Sequence, residues 1–201
     1  MISRLLLEQS VDKQRRIYRR LYERHGNSHR ALHWTSPHTQ RRRFEVLTQI
    51  APMAGKEVLD LGCGLADMLV YLIEEEIACC YTGYDVVPEF VRDAKRRFPG
   101  IRFEERNILL RPPAQRFDFV LASGLFAFGS RLFLSEMVRA AYAMCNHAFA
   151  FNLHLPMSTD SRFLQIEPYD VEMICHKLSP LRLEIRRDYL ENDITFILYK
   201  K

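Results

Sequence analysis

The stretch EVLDLGCGLAD, which runs from Glu57 to Asp67, decides the fold of this chain. It starts as an apolar run with Asp60 inside it, a pattern that predicts a buried strand. Gly62 and Gly64 follow directly, and the residues after them have the apolar spacing of a helix. Glycines at such a junction let the backbone turn tightly and approach a ligand with no Cβ in the way. The stretch therefore predicts a strand and a helix joined by a ligand-binding turn.

Strand and helix patterns alternate along the rest of the chain, which predicts right-handed βαβ units and a parallel sheet covered on both faces. Only a few polar residues around Asn192 separate the last two strand patterns, too few for a helical crossover, so that pair should be antiparallel. The predicted fold is a doubly wound α/β sheet with an antiparallel hairpin at one edge. The predicted strands are 56–61, 78–85, 101–105, 117–123, 147–155, 181–190 and 193–200, and the helices among them are 65–76, 88–98, 131–145 and 168–178.

The first 50 residues carry two further helical patterns and most of the positive charge. Apolar residues recur at helical spacing over 3–24, and Ser36-Pro37 is typical of the N-cap and first position of a second helix. Residues 1–48 hold 11 Lys and Arg against 4 Asp and Glu, while the remainder holds 18 against 21. This basic arm could attract an anionic substrate or RNA, or it could be the solvated face of a helix.

Composition excludes several classes of protein. At 201 residues the chain has room for one domain with one substantial core. No apolar run approaches 18 residues and the first residues lack a secretory apolar region, so we expect a cytoplasmic protein without a membrane span. The five cysteines form no CxxC pair, and none has a Cys or His at ligand spacing, so no metal site is expected.

The glycine turn and the next acid indicate the kind of ligand. Asp85 ends the second predicted strand 21 residues after Gly64, where an acid usually binds the two ribose hydroxyls of a nucleotide. A dinucleotide site requires a third glycine where this chain has Asp67. Asp60 would also repel a diphosphate, whereas it would attract an ammonium group. These charges favour an adenosyl amino acid over NAD.

The same residues resemble the class I S-adenosylmethionine-dependent methyltransferases. The resemblance covers roughly Gly55 to Lys201 and implies S-adenosylmethionine (SAM) as cofactor and S-adenosylhomocysteine (SAH) as product. It also implies a Rossmann-like seven-stranded sheet of order 3-2-1-4-5-7-6 with the last strand antiparallel. Two positions depart from the family pattern: Ala66 replaces its usual third glycine, and Asn107 replaces the usual loop acid. The motifs that carry the resemblance are VLDLGCGLAD (58–67), YTGYD (81–85), RNIL (106–109) and FDFVLASGLF (117–126).

The resemblance assigns cofactor-binding roles to particular residues of this chain. Asp60 and the turn Gly62-Cys63-Gly64 would line the methionine portion of SAM. Asp85, with Val86 beside it, would bind the ribose. The adenine would lie between Asn107 and Ile108, and the residues beneath the transferable methyl group would be Ser123 and Gly124.

The sequence favours a small-molecule acceptor, methylated at a nitrogen or an oxygen atom. The fourth strand ends in SGLF (123–126) rather than in the tetrapeptide of amide and adenine methyltransferases, and no Pro-Cys loop for pyrimidine C5 chemistry follows. Three alternatives remain open. They are the same reaction on RNA or a protein side chain recruited by the basic arm, a non-catalytic cofactor-binding partner protein, and an NAD-dependent oxidoreductase.

The N-terminal segment also resembles that of similar short methyltransferases, in which it folds over the cofactor as a lid. One domain is therefore expected over 1–201, with a helical lid over 1–50 and a Rossmann-like core over 51–201. Tyr22, His33 and Trp34 are predicted near the methyl group, and Arg43 near the cofactor carboxylate; core packing of Trp34 and a solvated Arg43 are the alternatives.

Strand alternation adds a second pair of catalytic candidates in FAFNLHL (149–155). It puts Asn152 and His154 on the same side of the fifth strand, near its carboxyl end. Both side chains could orient the acceptor there, or they could form a hydrogen-bonded edge of the following loop.

Overall fold

The computed structural model of the chain describes residues 2–155 and 163–200, and they form an α/β fold with one sheet. Its strands are β1 Glu57–Leu61, β2 Cys80–Asp85, β3 Arg102–Glu105, β4 Phe117–Ala122, β5 Cys145–His154, β6 Arg182–Arg186 and β7 Asp193–Tyr199. Its α-helices are α1 Ile2–His25, α2 Pro37–Thr48, α3 Asp67–Glu74, α4 Pro88–Arg97, α5 Arg131–Met144 and α6 Pro168–His176, and a short 3₁₀ helix spans His29–Leu32.

The sheet has the strand order β3-β2-β1-β4-β5-β7-β6, which confirms the predicted doubly wound topology. All pairs are parallel except those of β7, which runs antiparallel to both β5 and β6. The chain winds outward from β1 in one direction and from β4 in the other, so the order of the strands reverses between these two. In open sheets of this kind, ligands bind beyond the carboxyl ends of the strands at that point.

Both faces of the sheet are covered, which explains why all residues of β1 and β4 but one in each are buried, whichever face they point to. Helices α5 and α6 pack on one face, where Phe133 and Val171 join Phe149 of β5 in one buried cluster. Helices α2, α3 and α4 cover the other face, where Leu47 and Leu72 pack in a second cluster. Each large side chain buried in this way contributes about 1.5–3 kcal/mol to folding.

The described helices and strands follow the predicted ones with small shifts. The long N-terminal helix is confirmed, and Ser36 caps α2 by accepting a hydrogen bond from the Thr39 backbone N–H at 3.2 Å. The segment between α1 and α2 contains the 3₁₀ helix, which is too short for apolar periodicity to reveal. Strand β5 begins directly after α5, two residues earlier than predicted. No helix in the described part of the chain is both long and apolar enough to cross a membrane.

Candidate functional site

A cavity of about 90 Å³ lies at the carboxyl edge of β1, β2 and β4, where the strand order reverses. Ligand clefts usually measure roughly 300–1,000 Å³, so the cavity is largely closed by what covers it. The sheet side of the lining contains every predicted cofactor-binding residue of the core, namely Asp60, Gly62, Cys63, Gly64, Asp85, Val86, Asn107, Ile108, Ser123 and Gly124. The N-terminal segment supplies the cover through Gln14, Tyr18, Leu32, Trp34, Gln40 and Phe44.

The glycine turn requires its glycines for two reasons. Gly62 and Gly64 have φ angles of 82° and 53°, in the left-handed region that other residues avoid. A Cβ on Gly64 would also lie 2.7 Å from Cδ2 of Leu32, which packs directly over the turn. The turn therefore offers bare backbone to the cavity on one side and receives a lid side chain on the other.

Ala66, which replaces the usual third glycine of the family pattern, has a strained backbone conformation. Its φ angle is 64°, so a non-glycine residue takes the left-handed conformation just before α3, at a cost of about 1–2 kcal/mol. Its side chain is fully buried among the residues of the second cluster, and that burial offsets part of the cost.

Asp85 joins the glycine turn to the residues that follow β2. One carboxylate oxygen accepts a hydrogen bond from the Gly64 N–H and the other accepts from the Val87 N–H, both at 2.8 Å. Burial raises the pKa of Asp85, and the hydrogen bonds from the Val87 and Gly64 N–H groups oppose that increase. Each oxygen keeps a lone pair for a ligand, so the residue can hold the turn and accept hydrogen bonds from a diol at once.

Asp60 is a buried acid on the turn side of the cavity, with 2% of its surface exposed. Burial raises the pKa of its carboxyl group to about 7, against the lowering effect of a 2.6 Å hydrogen bond donated by the Tyr81 hydroxyl. The nearby charge of Asp85 adds to the increase. A cationic ligand would relieve this unfavourable charge, whereas a phosphate would worsen it.

Asn107 and Ile108, the residues predicted to flank an adenine, both line the cavity. Ile108 is 2% exposed, and Asn107 is buried beside it. The side-chain carbonyl of Asn107 accepts a hydrogen bond from the Leu109 N–H at 3.0 Å, so it stabilises its own loop as well as facing the cavity. This hydrogen bond leaves the Asn107 side chain one carbonyl lone pair and its NH₂ group for a ligand.

Gly124 lies directly beneath the indole of Trp34. Its φ angle is 71°, and a Cβ there would lie 3.1 Å from Cη2 of Trp34. The Tyr18 hydroxyl donates a hydrogen bond to the Gly124 carbonyl at 3.5 Å. Trp34 is only 9% exposed and also lines the cavity. It is therefore both packed in the protein interior and located at the site.

Two predicted residues of the N-terminal segment, Tyr22 and His33, lie outside the cavity lining. The Tyr22 hydroxyl donates to the Asp93 carboxylate on α4, and its ring packs edge-on against Phe90, outside the cavity lining. Tyr18, four residues earlier on α1, lines the cavity in place of Tyr22. His33 packs against Phe128, with ring centroids 5.1 Å apart, and it does not line the cavity either.

Arg43 neither lines the cavity nor is solvated, and both expectations for it are corrected. Its guanidinium group donates two hydrogen bonds to the Asp193 carboxylate, at 2.5 and 2.6 Å, and lies 4.7 Å from the centroid of the Trp34 ring. Only 12% of its side chain is exposed. Helix α2 runs past the start of β7, so this arginine meets a partner that follows it by 150 positions.

Asn152 and His154 lie on the same side of β5, next to this ion pair rather than in the cavity lining. Asn152 is 2% exposed and accepts a hydrogen bond from the Ser123 hydroxyl at 3.0 Å. The Nδ1 atom of His154 lies 2.8 Å from the Asp193 carboxylate, while half of the His154 side chain is exposed. We call this set the strand-end network, and its members are Arg43, Ser123, Asn152, His154 and Asp193.

Sequence reasoning missed Asp193 and the lid residues Gln14, Tyr18, Leu32 and Gln40. Gln14 gave a signal that could have been found, because it is a polar residue between Val11 and Tyr18 on the apolar face of α1. Gln40 donates a hydrogen bond to Asp67 at 2.9 Å and so ties α2 to the first turn of α3.

The chain is similar to known methyltransferases in both sequence and structure. Residues 58–147 match the family model described as a methyltransferase domain. A putative methyltransferase of Mycobacterium tuberculosis is 29% identical over 152 residues, which cover 70% of this chain and 91% of that protein. A trans-aconitate 2-methyltransferase of Rhodopseudomonas palustris is 29% identical over 82 residues, or 41% of this chain and 32% of that enzyme. The chain thus matches about a third of the length of that relative.

Solved structures of methyltransferases share the fold over nearly the whole chain. The magnesium protoporphyrin IX methyltransferase of Synechocystis with bound SAH superposes with a TM-score of 0.68 at 13% identity, covering 98% of this chain and 99% of that one. A TehB-like SAM-dependent methyltransferase of Corynebacterium glutamicum gives a TM-score of 0.64 at 16% identity, covering 80% and 88%. At these identities the comparison establishes the fold.

Proposed function

We propose that this chain, whose residues 58–147 match a methyltransferase-domain model, is a class I SAM-dependent methyltransferase that transfers a methyl group from SAM to a nitrogen or oxygen atom of a small-molecule acceptor. One observation carries this proposal. The cavity at the strand-order reversal contains the carboxylates of Asp60, Asp67 and Asp85, against Arg106 as its one cationic side chain among the described residues. SAM brings two cationic groups, its sulfonium and its ammonium, to such a site, whereas NAD would bring a diphosphate.

The residues fit the cofactor at its amino-acid end. The backbone of the Gly62 to Gly64 turn lines the cavity without a side chain at either glycine. Asp60 lies beside the turn, and its buried carboxylate would be stabilised by an ammonium group. We assign the methionine portion to these residues, including Cys63, whose buried thiol lies in the same lining.

The nucleoside end fits in the same way. Asp85 has a free lone pair on each oxygen for the two ribose hydroxyls. Val86 and Ile108 offer apolar surfaces on which a base can stack, and Asn107 lies at its edge. Ser123 and Gly124 would then lie beneath the sulfonium, under the indole of Trp34.

Catalysis in this arrangement depends on positioning and on exclusion of water. When bound, SAM would supply a sulfonium methyl group, which an acceptor atom would take in one in-line displacement with SAH as the leaving group. The protein must hold the acceptor in line and keep water out, which Tyr18, Leu32 and Trp34 achieve by covering the cavity. Leu32 packs against the glycine turn and lines the cavity, so we infer that the N-terminal segment moves when ligands enter.

The strand-end network is the proposed acceptor side. It begins at Ser123, which lines the cavity, and continues through Asn152. Asp193 fixes the ring of His154 through Nδ1, and this leaves Nε2 to accept a proton from an acceptor that is protonated at the working pH. The relatives named for trans-aconitate and magnesium protoporphyrin IX support a small-molecule acceptor for this chain as well.

A surface feature favours RNA as a second candidate acceptor. Lys13, Arg16, Arg20 and Arg24 are exposed along α1, and within the described residues none of them pairs with a carboxylate. Their helical spacing puts them on one stripe of the helix. RNA held by this stripe would dissociate with rising salt, with a slope that reports the number of phosphates contacted.

The experiment that tests the proposal is transfer of a labelled methyl group from SAM by the purified protein. The acceptor panel contains carboxylic acids, amines and phenols, with total RNA and a protein extract as separate arms. We expect label in a small-molecule acceptor and loss of that signal in Trp34→Ala. Label only in RNA or protein would replace the proposed acceptor class. Cofactor binding with no label in any arm would favour the non-catalytic partner protein.

A further inference from the structure

Gln14 is a buried polar side chain that has no hydrogen-bond partner in the part of the chain that the structure describes. It is 4% exposed and lines the cavity from the inner face of α1. Its side chain makes no hydrogen bond with any residue in 2–155 or 163–200. The fully buried polar atoms without a partner among the described residues are Tyr84 Oη and Glu89 Oε2, so the Gln14 amide keeps some accessible surface. A ligand in the cavity that Gln14 lines would supply its missing hydrogen bonds.

The neighbours of Gln14 on α1 show which part of the cavity it faces. Val11, one turn earlier, packs in the same cluster as Ile108, and Tyr18, one turn later, reaches the Gly124 carbonyl. The adjacent Arg15 donates a hydrogen bond to the Val86 carbonyl at 2.8 Å. Gln14 therefore lies over the cavity between its adenine end and its methyl end.

The polar groups of a bound nucleoside indicate which part of it Gln14 would bind. Asp85 has one lone pair for each ribose hydroxyl, so the ribose is already provided for. The Asn107 carbonyl is partly engaged by the Leu109 N–H, which leaves the edge of the base with incomplete recognition. A glutamine amide donates to N7 of adenine and accepts from its N6 amino group in one two-point pair.

We propose that Gln14 reads the N6–N7 edge of the adenine of SAM and so makes the N-terminal helix part of the cofactor site. This inference rests on the proposed function, since it assumes an adenosyl cofactor in this cavity. It makes Gln14 a specificity-determining residue, because a base without both edge atoms would leave the amide unpaired again. The same contact would hold α1 over the cavity when the cofactor is bound.

The test is calorimetric titration with two probes, SAH and its 7-deaza analogue S-tubercidinylhomocysteine, which has a carbon in place of N7. The proteins are the unmodified chain, Gln14→Leu, and Gln9→Leu as the matched control on an exposed position of the same helix. Gln14→Glu, which keeps the acceptor and loses the donor to N7, guards against a packing effect of leucine. Thermal melting of each variant verifies folding.

We expect the unmodified chain and Gln9→Leu to bind SAH about three- to tenfold more tightly than the 7-deaza analogue, the effect of a lost neutral hydrogen bond. Both Gln14 variants should bind SAH more weakly by a similar factor and should no longer distinguish the two probes. Discrimination retained in either folded variant, or equal weakening for both probes, would overturn the role of Gln14 and leave the proposed function standing. Failure of the unmodified chain to bind SAH would overturn both.

Discussion

Arg43 and Asp193 form a two-point ion pair that joins the N-terminal segment to the last strand of the sheet, with oxygen–nitrogen distances of 2.5 and 2.6 Å. The Asp193 side chain is 1% exposed and also holds Nδ1 of His154. The Arg43 guanidinium lies over Trp34, which covers Gly124 at the cavity. One buried pair therefore positions both the lid and the proposed acceptor side.

Removal of the positive partner of this pair should destabilise the protein strongly. Arg43→Met leaves the buried Asp193 carboxylate without its main counter-ion, and we expect a loss of about 3–5 kcal/mol in the free energy of unfolding. Urea denaturation measures this loss. The neighbouring Arg42→Met is the matched control, since its ion pair with Glu45 is exposed and should be worth about 0–1 kcal/mol. Equal effects of the two substitutions would contradict the structural role of the pair.

Asp60 should make cofactor affinity depend on pH. Burial raises the pKa of its carboxyl group to about 7, so the group is largely neutral below that pH in the ligand-free protein. A cationic cofactor prefers the carboxylate, so affinity for SAM should rise between pH 5.5 and 7, by up to about tenfold per pH unit. Calorimetry at several pH values measures this. Asp60→Asn should flatten the profile, and an unchanged slope in that variant would assign the titration to another group.

The same carboxyl group should lower the stability of the ligand-free protein at neutral pH. Because its pKa is raised on folding, its contribution is fully present below its unfolded pKa and is lost as pH rises toward 7. Asp60→Asn, which has no proton to lose, should be more stable than the unmodified chain at pH 8, by an amount on the order of 3–4 kcal/mol. Thermal melts at pH 4 and pH 8 test the sign, since the difference should nearly vanish at pH 4.

Asp85 should support both the cofactor and the turn. Asp85→Ala removes the ribose contacts and should weaken SAH binding by about 1–3 kcal/mol, as for a lost charged hydrogen bond. It also removes the acceptors of the Gly64 and Val87 N–H groups, so stability should fall as well. Asp85→Asn keeps one acceptor oxygen and should lose less stability than affinity. Unchanged SAH affinity in a folded Asp85→Ala protein would show that the ribose assignment is wrong.

Gly124 should not tolerate a side chain. Gly124→Ala strains a residue with φ 71° and places a Cβ 3.1 Å from Cη2 of Trp34, so the indole that covers the cavity has to shift. Gly55→Ala is the control, because Gly55 has nearly the same φ, 70°, and nothing within 4 Å of the added Cβ. Both should lose about 1–2 kcal/mol of stability from backbone strain, but only Gly124→Ala should also weaken SAH binding. Parallel urea and calorimetric measurements separate the two effects.

The features that could be predicted from sequence are those fixed by neighbouring residues. The turn from Gly62 to Gly64, the acid at the end of β2 and the loop at Asn107 each follow from a short pattern, and all of them line one cavity. Their positions depend only on which strand end they follow, and the carboxyl ends of parallel strands meet at one edge of the sheet.

The features that could not be predicted depend on how the N-terminal segment docks. Helical periodicity puts Tyr18 and Tyr22 on the same face of α1, but only the docked position of the helix selects Tyr18 for the cavity. Arg43 could not be assigned to Asp193, because no local pattern relates residues 150 positions apart. Gln14 was visible as a polar residue on an apolar face, yet its meaning required a cavity beneath it.

The most direct test of the account is calorimetric titration of the purified protein with SAM, SAH and NAD. We expect micromolar binding of SAM and SAH and no binding of NAD, because the cavity carboxylates of Asp60, Asp67 and Asp85 attract a cationic ligand and repel a diphosphate. Binding of NAD without SAM or SAH would contradict it and would return the chain to the dinucleotide-binding class.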